Sequence, residues 1–223
     1  MSEPLISYLS QFMTEARFAR INEVAATRTR YITVALEDIY QPQNASAVLR
    51  TCDCLGVQDI HVIEKDNPFT VNPDVELGSA KWLDIHRYSD GSHPAQTAIR
   101  HLRSKGYRIV ATTPHRNDLI LDDCDLATGP VALFFGTEMR GLTAEVIEQA
   151  DEFIRIPMYG FTESFNLSVS AAICLYTLCR KLRASQLNWH LSARETEELI
   201  LAWMRKSIQS ADLLEKRFNF NQK

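Results

Sequence analysis

The sequence of 223 residues lacks the features that mark several large classes of protein. No apolar run approaches the roughly 20 residues that a membrane-spanning helix needs, and no basic segment followed by an apolar core begins the chain. The five cysteines leave one thiol unpaired, and none stands in a CxxC pattern typical of zinc ligands. We therefore expect a cytoplasmic protein with reduced, mostly buried cysteines and no metal site.

Glycine patterns and repeats are also missing. No GxGxxG segment follows the first predicted strand, which argues against a Rossmann-type dehydrogenase. There is no internal repeat, no low-complexity tract and no linker rich in glycine or proline. What is present is a hydrophobic share of 45% and a charged share of 23%, which is typical of a globular chain able to bury its own core. One main domain is the expectation.

The net charge of −4 is distributed unevenly. Residues 1–30 carry four Arg and three Glu, residues 180–223 carry nine Lys or Arg and five acidic residues, and the acidic excess lies between them. Because phosphate binding depends on Lys and Arg, the two termini are the candidates for an RNA surface. Solvated helices of mixed charge explain the same pattern, so composition leaves both readings open.

Alternating segments predict an α/β domain. Strand-like segments such as ITVALEDI, DIHVIE and YRIVATT alternate with helix-like segments such as NASAVLRTCDCLG and HPAQTAIRHLRSKG. This alternation is typical of a parallel sheet flanked by helices. We assign residues 31–183 to this domain, residues 1–30 to a helical N-terminal extension, and residues 184–223 to a helical C-terminal extension.

Four segments that follow predicted strands are candidates for a site, since parallel sheets bind ligands at the carboxyl ends of their strands. The segment YQPQNASAVLR carries Asn44, which is suited to cap the next helix, and Arg50, which taken alone is a surface charge. The segment ATTPHR is compatible with a simple turn. In LFFGTEMRGLTAEV, Glu138 stands between Gly136 and Gly141, and these glycines serve either a close ligand or a tight turn.

The fourth segment, IPMYGFTESFNLSVSAA, begins an apolar helix with an unusual number of polar side chains. They are Ser164, Asn166, Ser168 and Ser170. Capping explains Ser and Asn at a helix start. Their density beside Gly160, together with the backbone NH groups of the helix start, favours instead a pocket for an adenosine-like ligand.

Together, the segments NASAVLRTCDCLGV, LFFGTEMRGL and IPMYGFTESFNLSVSAA resemble the three signature motifs of the SPOUT superfamily of RNA methyltransferases, in order and in spacing. Within that superfamily the sequence is most similar to the TrmH group, the tRNA guanosine 2′-O-methyltransferases. The segment TEARFARINEVAATR also resembles the Arg-bearing N-terminal helix of that group. The resemblance implies an α/β fold with a C-terminal trefoil knot, a homodimer, and S-adenosylmethionine-dependent methylation of a ribose 2′-hydroxyl in tRNA, most specifically the D-loop guanosine (Gm18 type).

The resemblance also implies roles for individual residues. Arg50 corresponds to the catalytic arginine and Asn44 to its supporting partner, and the catalytic set is completed by Glu138, Ser164 and Asn166. The implied cofactor contacts are Thr112, Gly136, Ile156, Met158, Ser164 and Leu167. The implied tRNA contacts are Arg17, Arg20, Arg28 and Arg30, together with Lys and Arg residues near the C-terminus.

Three alternatives stay open at this point: methylation of another tRNA position, methylation of ribosomal RNA, and a catalytically silent RNA-binding protein. Glu163 and Phe165 stand where many TrmH-group sequences have Gln and Leu, which puts the nucleotide preference in question. The roughly 30 residues before the α/β domain are too few for a separate RNA-binding domain, and this favours tRNA over ribosomal RNA. The presence of all five catalytic positions argues against a silent protein.

Overall fold

The computed structural model describes residues 2–89, 91–113, 119–137 and 139–220, and the chain divides into two compact units. The larger unit, Arg30–Trp189, contains the sheet and the three motifs. The smaller unit combines the two ends of the chain, Met1–Thr29 and His190–Lys223.

In its described part, the larger unit holds a sheet of seven strands. They are β1 (Ile32–Glu37), β2 (Asp59–Ile63), β3 (Asp84–Tyr88), β4 (Arg108–Thr112), β5 (Leu119–Ile120), β6 (Val131–Phe135) and β7 (Glu152–Arg155). Their order across the sheet is β3-β2-β1-β6-β4-β7-β5, and each neighbouring pair is parallel. The predicted parallel α/β architecture is confirmed.

Two α-helices of the described residues precede β1, three follow β7, and the other four lie between strands. They are α1 (Ser2–Ser10), α2 (Glu15–Ala25), α3 (Pro42–Leu55), α4 (Pro73–Glu76), α5 (Pro94–Ser104), α6 (Ala144–Gln149), α7 (Leu167–Arg183), α8 (Ala193–Ser207) and α9 (Ala211–Phe220). Helices α3 and α7 pack against each other and share one apolar core with the sheet, whereas α5 and α6 pack on a second core. The sheet is thus covered by helices on both faces.

Strand β1 shows why the sheet is central to the core. All six of its residues are buried, as expected for a parallel strand covered on both faces. Val34 and Leu36 belong to the core shared with α3 and α7, and Ala35 belongs to the core shared with α5 and α6. Because side chains alternate along a strand, the apolar run supplies both cores at once.

The bounds of α3 correct one prediction. The helix ends as predicted at Gly56, which has a left-handed φ of 77°. It begins at Pro42, however, with Gln41 at the N-cap, because proline fits the first turn of a helix. Asn44 therefore lies inside the first turn, and the expectation that it caps the helix was wrong.

The smaller unit is a group of four helices. Helices α1 and α2 pack against α8, and α9 contacts α1 and α8. Trp203 is buried, and the guanidinium of Arg28 lies 5.1 Å from the centroid of its ring. A capping box of Ser192 and Glu195 begins α8. In the described ranges, no helix of either unit is long and apolar enough to cross a membrane.

Candidate active site

The first motif lies on α3, directly after the central strand β1. Asn44 is buried in the first turn, and its amide nitrogen donates to Gln41 Oε1 at 3.1 Å. Arg50 is exposed on the same helix, and it has no hydrogen bond or ion pair with any residue that the structure describes. An exposed guanidinium without a protein partner can bind a phosphate in two-point geometry.

The second motif forms a tight hairpin after β6. Thr137 and Gly141 exchange backbone hydrogen bonds of 3.1 and 2.9 Å, and Gly141 has a φ of 67°. A Cβ atom on Gly136 would lie 2.1 Å from the carbonyl carbon of Gly141, so glycine is required there by the turn itself. Glu138, a predicted catalytic residue, lies outside the described residues.

The third motif begins α7, and Asn166 is its N-cap. The side-chain oxygen of Asn166 accepts hydrogen bonds from the amides of Ser168 at 2.9 Å and Val169 at 3.4 Å. Its side-chain nitrogen donates to Asn44 Oδ1 at 3.1 Å, across 122 positions of sequence. Asn166 therefore caps its own helix and also joins the third motif to the first.

A second contact, which the sequence did not predict, joins the end of β1 to the residue that follows the second motif. Glu37, the last residue of β1, is 3% exposed, and its carboxylate accepts hydrogen bonds from the Thr143 amide at 2.9 Å and the Thr143 hydroxyl at 2.6 Å. Burial raises the pKa of Glu37, and the nearby carboxylates of Asp38 and Glu145 act in the same direction. The hydrogen bonds from Thr143 lower that pKa but do not outweigh burial.

A cleft with about 400 Å³ of space, open solvent included, lies beside the start of α7. It is formed by the carboxyl ends of β4 and β7, the segment after β7 and the start of α7. Its lining residues are Thr112, Thr113, Ile154, Arg155, Ile156, Met158, Ser164, Phe165, Ser170 and Cys174. A mostly apolar wall with a few hydroxyls and one arginine suits an organic ligand with a polar end.

The cleft contains four of the six predicted cofactor contacts: Thr112, Ile156, Met158 and Ser164. Leu167 is buried in the core on the first turn of α7, and Gly136 is not among the residues that line the cleft. The structure thus gathers the third-motif positions and the end of β4 around one space, and leaves these two outside its wall.

Other wall residues were not among the six predicted cofactor contacts. Ser170 and Cys174 stand four residues apart on one face of α7, a spacing that could have indicated them. Thr113 directly follows the predicted Thr112. Burial raises the pKa of Cys174 to about 12, so this thiol stays protonated and serves as wall rather than as nucleophile.

Residues 31–176 match the SpoU rRNA Methylase family, which covers more than half of the chain. The chain belongs to this family. It is 44% identical over 214 residues, 96% of either chain, to a tRNA (guanosine(18)-2′-O)-methyltransferase of Borreliella burgdorferi. Predicted membership of the RNA methyltransferases is confirmed.

Solved structures support the same relationship. The TrmH/SpoU tRNA modifying enzyme of A. aeolicus superposes with a TM-score of 0.77 at 28% identity, covering 88% of this chain and 98% of that one. An AdoMet-bound rRNA methyltransferase from Sinorhizobium meliloti superposes with a TM-score of 0.61 at 26% identity, covering 74% of this chain and 61% of that one. The fold of this SpoU chain is therefore that of known RNA methyltransferases.

The arginines predicted to bind tRNA have different surroundings. Arg17 and Arg20 are exposed on α2, and Arg20 forms an exposed ion pair with Glu23 at 2.8 Å. Arg28 is only 1% exposed, and its side chain packs on a tryptophan of the smaller unit. Arg30, in the larger unit, is held by two aspartates. Exposure leaves Arg17 and Arg20 as the accessible pair.

Proposed function

We propose that this SpoU-family chain transfers a methyl group from S-adenosylmethionine to the ribose 2′-hydroxyl of guanosine 18 in tRNA. The observation that carries the proposal is the hydrogen bond between Asn44 and Asn166, which joins the first and third motifs beside the cleft. The proposal is supported by identity of 44% over nearly the whole chain to a relative named for this reaction.

The cleft fits the cofactor. Ile154, Ile156 and Met158 offer apolar surface to an adenine ring, and Thr112 and Ser164 offer hydroxyls. The Nε atom of Arg155 is buried without a hydrogen-bond partner among the described residues, so an acceptor on the ligand would satisfy a donor that is otherwise costly to bury. When bound, S-adenosylmethionine supplies a methyl group on a positively charged sulfonium.

Arg50 has the central role in the proposed mechanism. A guanidinium is a poor proton acceptor at neutral pH, which argues against simple proton abstraction by this side chain. We assign Arg50 to the phosphate next to the target ribose and to the negative charge that develops on the 2′-oxygen. The phosphate itself is the candidate acceptor for the hydroxyl proton. Asn44, Asn166 and Ser164 shape the ribose end of the site, and Glu138 completes the catalytic set.

The tRNA surface is proposed on the smaller unit. Arg17 and Arg20 on α2 are the assigned phosphate contacts, together with the lysines and arginines of α8 and α9. Because each phosphate contact releases counterions, tRNA affinity should fall steeply as salt rises. Double replacement of Arg17 and Arg20 by alanine should reduce that salt slope by about two units.

The proposal also includes a homodimer, a cytoplasmic location and a C-terminal trefoil knot. Val169 and Tyr176 are exposed apolar residues seven positions apart on α7, and the exposed Phe165 lies just before this helix. An apolar stripe beside a cleft is typical of a protein interface. Sedimentation of the wild type and of Tyr176→Glu tests the dimer, which the charged variant should dissociate.

The test of function is methyl transfer from labelled S-adenosylmethionine to unmodified tRNA transcripts, with the modified nucleotide mapped by mass spectrometry. We expect 2′-O-methylguanosine at position 18. A product at another tRNA position or in ribosomal RNA would keep the chemistry and change the target, and Glu163 and Phe165 would then be the first residues to exchange. Cofactor binding without transfer to either RNA would favour the silent RNA-binding protein.

A further inference from the structure

Glu37 stands at the carboxyl end of β1 beside the second-motif loop, residues 136–143. The side chain is buried, and its two oxygens accept from the amide and the hydroxyl of Thr143. Within the described ranges, no other hydrogen bond or ion pair reaches this carboxylate. All described polar contacts of the Glu37 carboxylate therefore go to one residue that is 106 positions away in sequence.

Thr143 departs from the usual behaviour of a helix N-cap. Threonine at this position commonly accepts a hydrogen bond from an amide in the first turn. In α6 that side-chain bond is missing, and the hydroxyl donates to Glu37 instead. A threonine hydroxyl directed to Glu37, and not to the first turn of α6, indicates that the contact has a use beyond the stability of that helix.

The second-motif loop is stiff, so anchoring one end fixes the rest. Thr137 and Gly141 are joined by two backbone hydrogen bonds, and the Arg140 amide donates to the Thr137 hydroxyl at 3.0 Å. At Gly136 the backbone of Gly141 approaches so closely that no Cβ atom fits. A shift at Thr143 is therefore passed through Gly141 to Gly136 and Thr137.

Glu37 also sits at the start of the first motif. The segment after β1 leads within five residues to α3, which carries Asn44 and Arg50. A carboxylate at the end of β1 that holds Thr143 consequently sets the second-motif loop against α3. Asn166 does the same for the third motif through Asn44.

Stability alone does not explain a glutamate here. No cation pairs with Glu37 among the residues that the structure describes, and its neighbours Asp38 and Glu145 are acidic. Burying an unpaired carboxylate opposes folding, and a neutral side chain of the same size would avoid that cost. We propose that Glu37 is a positioning residue that holds the second-motif loop at the place relative to α3 that methyl transfer requires. This inference rests on the proposed function.

The test replaces Glu37 by glutamine and Thr143 by valine. Both changes keep the size of the side chain and remove a donor–acceptor match. We expect turnover to fall at least about tenfold in each variant, since small displacements in an active site are costly. The KM for tRNA should stay within about threefold, because the tRNA contacts proposed on α2, α8 and α9 are unchanged. Thr143→Ser keeps both donors and should restore most of the turnover.

Glu64 provides a matched control. It directly follows β2, is buried like Glu37, and accepts hydrogen bonds from Arg87 Nη2 at 2.6 Å and the Phe69 amide at 2.7 Å. Glu64→Gln replaces by a neutral amide a carboxylate that contacts none of the three motifs. We expect this variant to lose thermal stability and keep wild-type turnover. Glu37→Gln should keep its thermal stability and lose turnover.

Hydrogen exchange gives a readout that does not depend on activity. In Glu37→Gln the amides of residues 136–143 should exchange faster than in the wild type, and those of residues 65–67, held by Asp38, should not change. Unchanged exchange, or turnover within about twofold of the wild type, would overturn the proposal. If the wild type itself fails to methylate RNA, the proposed function fails, and hydrogen exchange still decides whether Glu37 anchors the loop.

Discussion

The two edges of the sheet use charge in different ways. At the amino edge, arginines that precede or begin strands are matched with carboxylates that begin neighbouring strands. Arg30 donates to Asp59 at 2.7 Å and to Asp84 at 2.8 Å, and Arg108 pairs with Glu152. Each of these pairs joins two strands, so the charges at this edge hold the sheet together.

At the carboxyl edge Arg87 pairs with Glu64, but the two described contacts that lie beside the motifs have uncharged donors. Thr143 holds Glu37, and Asn166 holds Asn44. Arg50 lacks a partner among the described residues. A charge neutralised inside the fold is unavailable to a ligand, whereas the exposed Arg50 guanidinium is available for the phosphate that we propose it binds. The comparison teaches that unpaired charge, rather than total charge, indicates where function is located.

The largest expected effect comes from removing the unpaired charge. Arg50→Ala should lower turnover by a factor of about 10² to 10³, the usual effect of losing one group that stabilises developing negative charge. Arg50→Lys keeps the charge but loses the two-point geometry, and it should remain well below the wild type. Turnover measured at saturating tRNA and cofactor checks both variants.

Because Arg50 is exposed and has no partner in the described part of the chain, neither variant should change the free energy of unfolding by more than about 0.5 kcal/mol. Nearly full turnover in Arg50→Lys would exclude the orienting role. If the free energy of unfolding falls together with turnover, Arg50 stabilises the fold instead.

The second effect separates the two roles of Asn166. Asn166→Asp keeps the oxygen that caps α7 but removes the amide donor to Asn44, so turnover should fall about tenfold or more with little change in stability. Asn166→Ala should lose activity and also about 1 kcal/mol of stability.

Asn72 is the control for this change, because it caps α4 with the same side-chain oxygen and lies outside the motifs. Asn72→Ala should cost a similar free energy of unfolding, about 1 kcal/mol, and leave turnover unchanged. Wild-type turnover in Asn166→Asp would show that the contact with Asn44 has no part in the reaction.

The sequence predicted most of the carboxyl edge because its signals are local. The strand β1, the helix α3 with its terminal Gly56, and the helix start near Asn166 all follow from periodicity and from the residues at their ends. Elements of only a few residues are too short to show a hydrophobic periodicity in the sequence. Thus α4 and the two-residue strand β5 were not predicted.

The contacts between motifs were beyond a single sequence. Nothing local distinguishes Glu37 from a glutamate that ends a strand in solvent, and its burial depends on a residue 106 positions later. Arg28 illustrates the opposite case: its charge suggested RNA, and the structure shows it packed on Trp203. Tertiary packing decides which charges stay accessible, and composition does not carry that information.

The third effect tests the amino edge. Asp59→Asn removes the carboxylate that Arg30 and His86 share, so the free energy of unfolding should fall by about 2 kcal/mol with turnover unchanged. Burial raises the pKa of Asp59, but the hydrogen bond with His86 and the charge of Arg30 outweigh it, and the pKa lies below the ordinary 3.8. The stability from Asp59 is therefore present above pH 3.8 and lost as the pH falls through the folded value. Chemical denaturation at a series of acid pH values measures the unfolding free energy of the wild type and of Asp59→Asn. If both proteins lose the same free energy as the pH falls, the prediction is contradicted.

The smallest effect concerns His86 on the same carboxylate. The hydrogen bond with Asp59 raises the pKa of His86 above 6.5, although burial and Arg30 oppose the shift. A raised pKa means that His86 contributes stability fully below pH 6.5 and loses it as the pH rises through the folded value. The stacked neighbour His61, 4.8 Å away, stays neutral throughout, because burial lowers its pKa to about 3.

The difference in unfolding free energy between wild type and His86→Gln should thus shrink as the pH rises. Because the His86 side chain is 40% exposed, the whole change should stay below about 1 kcal/mol. If the difference in unfolding free energy does not change with pH, His86 stabilises the edge by packing. The charge pairs of this edge then include Asp59 and Arg30 but not His86.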